Sequence, residues 1–252
     1  MTGVPSPRTV VVTGAGTGIG RAASRAFLSA GWAVALAGRT LETLVEAGAQ
    51  HPLAVPVVAD VTDADSVRDL FAAVVQRFGR LDVVFNNAGV PGPAGAVDEI
   101  DLADWERIMA VNVTGAMLVA AEAVRTMKAQ TPQGGRILNN GSIAAHRPRP
   151  RTVAYAVSKH AMTGLTRSIA LDGRPFGITC GQIDIGNAAT DLLADLADGR
   201  GFTQPDGSIR PEPVFDVADA ARAVVLMAEL PATAVIGSLT VTASGMPFDG
   251  RG

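Results

Sequence analysis

Cysteine is nearly absent from this chain. Cys180 is the only one in 252 residues, which excludes an internal disulfide framework and fits a reducing compartment. Histidine is almost as scarce. His51, His146 and His160 lie far apart and none falls in a metal-ligand spacing, so no metal site is expected. Tyr155 is the only tyrosine. Met1 to Arg8 is too short and too proline-rich for a signal peptide, and no apolar run is expected to reach bilayer length. A formal net charge of -3 leaves no general footprint for nucleic acid. The expectation is a soluble, cytoplasmic protein with neither a membrane nor a nucleic-acid partner. What is present is 48% hydrophobic residues and 28 glycines, the material of tight turns and close helix–sheet packing. Nothing marks a division, so residues 1–252 are expected to form one domain.

Arg8 to Thr13 is a β-branched run that reads as a buried parallel strand. It enters Thr13-Gly14-Ala15-Gly16-Thr17-Gly18-Ile19-Gly20, after which Arg21 to Ala30 reads as a helix ended by Gly31. This is the logic of a dinucleotide loop. Gly14 permits the tight turn, Gly18 lets backbone approach a pyrophosphate, and Gly20 lets helix and strand pack closely. N–H groups at the helix start then face the phosphates. An ordinary glycine-rich turn is the alternative; the flanking strand and helix favour the cofactor reading.

Trp32 to Ala37 reads as the second strand, followed by Gly38-Arg39-Thr40. A carboxylate here would bind an adenosine ribose and repel a 2′-phosphate, and none is present. Gly38 leaves room and Arg39 offers a donor fork suited to phosphate, which favours NADP while leaving NAD possible. Arg39 stacking on adenine is the other reading. Leu53 to Val58 reads as a third strand leading to Asp60 and Val61. Asp60 is placed either to accept from an adenine amino group or to cap the helix beginning near Asp63; Val61 would pack on the ring. With Ser66 to Phe78 helical, the half-chain repeats strand and helix, which predicts a parallel sheet with right-handed crossovers.

Leu81 to Phe85 reads as the fourth strand and leads into Asn86-Asn87-Ala88-Gly89, where small residues let a cofactor pass and amides lock the loop. A long helix is expected from Leu102 to Lys128, with Trp105, Ile108, Met109 and Val113 on its core face. Asn112 is a poor helix former inside it, placed for a water or a backbone carbonyl. Gly135 to Ser142 reads as the fifth strand with its polar end at Ser142. His146 to Arg151 brings four basic-capable groups, His146, Arg147, Arg149 and Arg151, which serve either an acidic substrate or a solvated surface. Tyr155 and Lys159 share one face of the next helix. An ammonium held near a phenol favours the phenolate, which makes such a tyrosine a usable general acid or base near neutral pH.

On these residues the chain resembles a classical short-chain dehydrogenase/reductase. Thr13 to Gly20 matches that family's cofactor loop, Asn86-Asn87-Ala88-Gly89 its structural motif, and Asn112, Ser142, Tyr155 and Lys159 its active-site tetrad in order. The resemblance implies a Rossmann-type doubly wound, seven-stranded parallel sheet with helices on both faces, and a homotetramer or homodimer. It implies NAD(P)-dependent hydride transfer with a small-molecule alcohol or carbonyl substrate. Tyr155 would be the acid/base, Ser142 would orient the substrate, Lys159 would hold the nicotinamide ribose, and Asn112 would anchor a water. Gly14, Thr17, Gly18, Ile19, Arg39, Asp60, Val61, Asn87, Ala88, Gly89, Ile185 and Thr190 would line the cofactor with Tyr155 and Lys159. Two rivals remain: a nicotinamide-binding regulatory protein without turnover, against which the intact tetrad argues, and an epimerase or dehydratase that uses similar groups through a transient keto intermediate.

One departure stands out. The sixth strand, read as Gly177 to Cys180, is followed by Gly181-Gln182-Ile183-Asp184-Ile185-Gly186-Asn187, where the family usually has Pro-Gly. Asp184 is expected either to cap the next helix or to touch substrate. Asn187 to Asp198 reads as a short helix, and about 187–213 as a substrate loop closing over the site. Asp216 to Glu229 reads as a helix with Ala218, Ala221, Val225 and Leu226 inward, and Gly237 to Ala243 as the last strand.

Overall fold

The structure is a computed structural model and describes residues 7–190, 201–204, 206–246 and 248. Seven strands form one parallel sheet: β1 (Thr9–Thr13), β2 (Ala33–Gly38), β3 (Ala54–Val58), β4 (Val83–Asn86), β5 (Gly135–Asn140), β6 (Ile178–Ile185) and β11 (Ser238–Val241). Their order is β11-β6-β5-β4-β1-β2-β3, so the chain winds outward from β1 in one direction and from β4 in the other. β1 and β4 are neighbours at the reversal, the place where an open α/β sheet leaves a crevice beyond its strand ends. Both faces are covered. α1 (Gly18–Ser29), α2 (Leu41–Gly48) and α7 (Val217–Glu229) pack one apolar layer; α3 (Ala64–Phe78) and α5 (Ala116–Ala129) pack the other. Phe27, Trp32, Phe71 and Phe85 are almost wholly buried, and each buried aromatic or aliphatic side chain contributes about 1.5–3 kcal/mol.

The segment 102–129 forms a continuous run: α4 (Leu102–Met109), a π-helical stretch Ala110–Gly115, and α5. Of the four residues expected on its core face only Ile108 is buried; Trp105, Met109 and Val113 are half-buried. The wider π turns rotate the helix, so that Asn112 and Gly115 turn inward in their place. The run is also long and apolar enough to span a bilayer by length and composition, with a window of mean hydropathy 1.4. That corrects the expectation drawn from its sequence. Alanine and valine fill so many of its positions that a core helix passes the same test, and here Val119, Ala123 and Met127 are buried in the α3-side layer.

β6 is eight residues long and carries Asp184 and Ile185 inside the sheet, ending at Ile185 and so beyond the expected end at Cys180. No helix begins at Asn187. Ala188–Ala189 is instead a short strand, β7, paired with β10 (Phe215–Asp216), and 191–198 of the expected helix lies outside the described residues. Phe202–Thr203 (β8) and Ile209–Arg210 (β9) form a hairpin in the expected substrate loop. α7 turns Ala220, Ala221, Val224, Met227 and Ala228 inward, while Leu226 is 56% exposed and Ala218 half-buried. Leu226 falls on the same side as Asp219, Arg222 and Glu229 by helical spacing, so the helix's own period turns it outward, and the opposite face packs against α1.

Candidate active site

The loop from β1 to α1 has the conformation that its glycines allow. Gly14 and Gly18 have φ of 64° and 48°, where other residues are strained. A Cβ on Gly20 would lie 2.0 Å from the Gly14 carbonyl oxygen, so helix and turn meet there backbone to backbone. Thr17 is the N-cap of α1 but makes no side-chain cap bond, which leaves first-turn N–H groups open to an anion. Beside this loop, the β4 end is locked by Thr13. Its hydroxyl accepts from the backbone N–H of Asn87 (2.9 Å) and Ala88 (3.0 Å), and the Asn87 amide donates to the Thr13 carbonyl at 2.8 Å.

Two adjoining cavities run along this floor. One, of about 420 Å³, is lined by Gly14, Thr17, Gly18, Ile19, Asn87, Ala88, Gly89, Asn140, Tyr155, Lys159 and Thr190. The other, of about 480 Å³, shares Gly14, Thr17, Ala88 and Gly89 and adds Arg39, Asp60, Val61, Thr62 and Arg107. Together they make an elongated trough with open helix N–H groups at its middle, a glycine cradle that a Cβ would fill, and two arginines at one end. Those features fit a dinucleotide. Arg107, which pairs with Asp104 at 2.8 Å, was not foreseen at this end. Asp60 does not cap α3, because Asp63 does so through its carboxylate. The Asp60 carboxylate accepts from the Thr62 N–H (2.9 Å) and hydroxyl (2.7 Å). The backbone bond first and the hydroxyl bond second hold its pKa below the usual aspartate value, with Arg39 adding to the effect.

A third cavity, of about 410 Å³, opens on the other side of Tyr155. Pro91, Pro93, Ile143, Ala144, Ile185 and Phe202 make it largely apolar, and Ser142 and Tyr155 lie in its wall. Ser142 ends the β5 turn; its hydroxyl oxygen accepts from Ala144 N–H at 3.1 Å. α6 (Val153–Asp172) then presents Tyr155 half-buried and Lys159 buried. The Lys159 ammonium lies 5.6 Å from the Tyr155 ring centroid and donates to the Asn140 carbonyl at 2.8 Å. Asn112 spends its amide on both sides of Val90, accepting from its N–H (2.8 Å) and donating to its carbonyl (2.9 Å), and it also donates to Ser158 (3.1 Å). The Ser158 hydroxyl in turn donates to the Tyr155 carbonyl at 2.7 Å. The expected backbone partner of Asn112 is therefore Val90, on the trough's lip.

Asp184 neither caps a helix nor lines the substrate cavity. It is fully buried. Its carboxylate accepts from the Ser142 N–H (3.0 Å) and the Gln182 amide (2.7 Å), and meets the His146 Nε2 at 2.8 Å. Its carboxylate takes the space above Gly141, where a Cβ would stand 2.0 Å from it. The sequence reading also gave no role to Asn140. Its amide nitrogen donates to the Asn87 side chain at 2.9 Å, and its buried amide oxygen has no partner among the described residues. An asparagine two positions before Ser142, with a buried glycine between, was the available signal. Cys180 is buried, and burial pushes its thiol up to about 12, so it is an inert core residue.

The chain is similar to known proteins of one family. The short chain dehydrogenase family model matches residues 8–201. The chain is 36% identical to a 3β-hydroxysteroid dehydrogenase of Mediterraneibacter gnavus over 69% of its own length and 63% of that protein. It is 34% identical to the cis-4-hydroxycyclohexanecarboxylate dehydrogenase of Sinomonas cyclohexanicum, over 94% of this chain and 96% of the other. Among solved structures, an actinorhodin polyketide ketoreductase with NADPH superposes with a TM-score of 0.84 at 25% identity, covering 96% of this chain and 98% of that one. The chain thus belongs to the short-chain dehydrogenase family of NAD(P)-dependent oxidoreductases.

Proposed function

We propose that this protein interconverts a small, partly apolar secondary alcohol and its ketone, with Tyr155 as the general acid/base. One observation carries the reading. Among the described residues, Tyr155 is the only titratable side chain shared by the walls of the trough and the apolar cavity. A proton donor at that boundary can reach a carbonyl oxygen on one side while the cofactor lies on the other. The nicotinamide supplies the hydride chemistry when bound. In reduction, the Tyr155 hydroxyl protonates the developing alkoxide, and in oxidation its oxygen takes the alcohol proton. Ser142 accepts from Ala144 N–H, which leaves its own hydroxyl proton for the substrate oxygen. Lys159, fixed by the Asn140 carbonyl, is placed to hold the ribose. Asn112 keeps Val90, on the trough's lip, in register with α6.

Arg39 and Arg107 lie at the adenosine end with no acidic residue at the second strand's tip, which favours NADP over NAD. Oligomerisation as a homotetramer or homodimer is supported by apolar side chains left bare on the long helix run, Leu102 at 69% and Met117 at 43% exposure. Substrates to screen follow from the cavity and the relatives: cyclic secondary alcohols, including 3β-hydroxysteroids and cis-4-hydroxycyclohexanecarboxylate. Tyr155→Phe is expected to lower kcat on the order of 10²–10⁴-fold while NADPH affinity by fluorescence titration stays near wild type. Wild-type turnover in that variant sinks the mechanism. Tighter NADH than NADPH binding would return Arg39 to a surface or adenine-stacking role.

A further inference from the structure

We infer that the substrate carries an oxyanion, such as a carboxylate, which docks on Arg147 at the rim of the apolar cavity. This deepens the oxidoreductase reading and rests on it. The four basic groups between His146 and Arg151 are sorted by what they face. His146 meets Asp184 at 2.8 Å, Arg149 meets Glu212 at 2.7 Å, and Arg151 meets Glu99 at 2.6 Å. Three of the four basic groups thus face carboxylates, and each carboxylate stands outside the cavity lining. The Arg147 guanidinium has no hydrogen bond or ion pair among the described residues, yet Arg147 lines the cavity. No aspartate or glutamate among the described residues lines that cavity.

The backbone under Arg147 is held. The N–H groups of His146 and Arg147 both donate to the Ile143 carbonyl, at 3.0 and 2.9 Å, and Pro148 restricts the next φ. Arg147 therefore lies two residues past the 3₁₀ turn Ile143–Ala145, tied back to it through its own N–H. A ligand with its carbonyl at Tyr155 and Ser142, an apolar body against Ile143 and Phe202, and an oxyanion at the mouth matches that wall. A guanidinium fork binds carboxylate, sulfonate or phosphate oxygens in pairs, which gives orientation as well as affinity.

The test uses the full-length protein with two probe pairs: cis-4-hydroxycyclohexanecarboxylate against its methyl ester for turnover, and cyclohexanecarboxylate against its methyl ester for binding to the NADPH complex. The wild type should prefer the acid in both, and added salt should erode that preference. Arg147→Gln should lower the acid-to-ester ratio of kcat/KM by about tenfold or more, and Arg147→Lys by less. A ratio unchanged by Arg147→Gln, or a wild type that favours the esters, overturns the anion subsite and makes Arg147 a solvated surface residue. Selective, Arg147-dependent binding of the acid without turnover of either alcohol would keep the subsite and count against the hydride-transfer reading instead.

Discussion

The cofactor trough and the substrate cavity meet at Tyr155 but are built in opposite ways. The trough is made of backbone from short, contiguous segments, and its shape depends on atoms that are missing: Gly14, Gly18 and Gly20 leave room that a Cβ would fill. The substrate side is walled by side chains and backed by buried carboxylates: Asp184 accepts from the Ser142 N–H, and Glu212 from the Arg149 guanidinium. The first is therefore damaged by adding an atom and the second by removing a charge.

The largest effect should come from filling the trough. Gly20→Val would set a Cβ against the Gly14 oxygen and, at 2.7 Å, the Asn87 amide. With strain of about 3 kcal/mol, cofactor affinity should fall roughly a hundredfold. Near-normal NADPH titration in a folded Gly20→Val protein would break the contrast.

A middle effect should come from Glu212→Gln. The Glu212 side chain is 3% exposed and Arg149 17%, and Arg149 also lies 3.8 Å from the Phe202 ring centroid and bonds Asn187 at 2.9 Å. Gln keeps an acceptor opposite Arg149, so removing the charge should cost about 2 kcal/mol in urea unfolding. Glu99→Gln, which breaks the exposed Arg151 pair, should leave the melting temperature unchanged. Equal losses in the two variants would show that burial is not what separates them.

The smallest effect belongs to Asp60. Its folded pKa lies below the unfolded one, so its contribution is present at neutral pH and disappears as pH falls through the ordinary aspartate range toward the lowered value. Asp60→Asn should flatten stability against pH only below about pH 4. A change in the neutral or alkaline limb would assign the effect elsewhere.

Much of the trough was legible because its information is local. Strand, glycine spacing and helix follow one another from Thr9 to Ser29, and Tyr155 and Lys159 share a helix face by spacing alone. Residues on the substrate side were legible as types but not as partners. Asp184 looked like a helix cap or a substrate contact because its strand was ended too early, at Cys180. The pairing of β5 with β6, Asn140 opposite Ile183, is what brings Asp184 beneath Ser142. The inward face of α7 was legible but misread: Asp219, Arg222 and Glu229 mark the outer side, and Leu226 shares it.

The sequence by itself determined the strand–helix alternation, the phosphate turn and the order of the active-site residues, because backbone sterics and helical period act over a few residues. Only the tertiary structure decided which carboxylate meets which cation. Ion pairing depends on distance in space, and from His146 to Arg151 three basic groups found carboxylates that lie 38 to 63 positions away: His146 with Asp184, Arg149 with Glu212 and Arg151 with Glu99. Arg147, between them in the chain, was left facing the cavity.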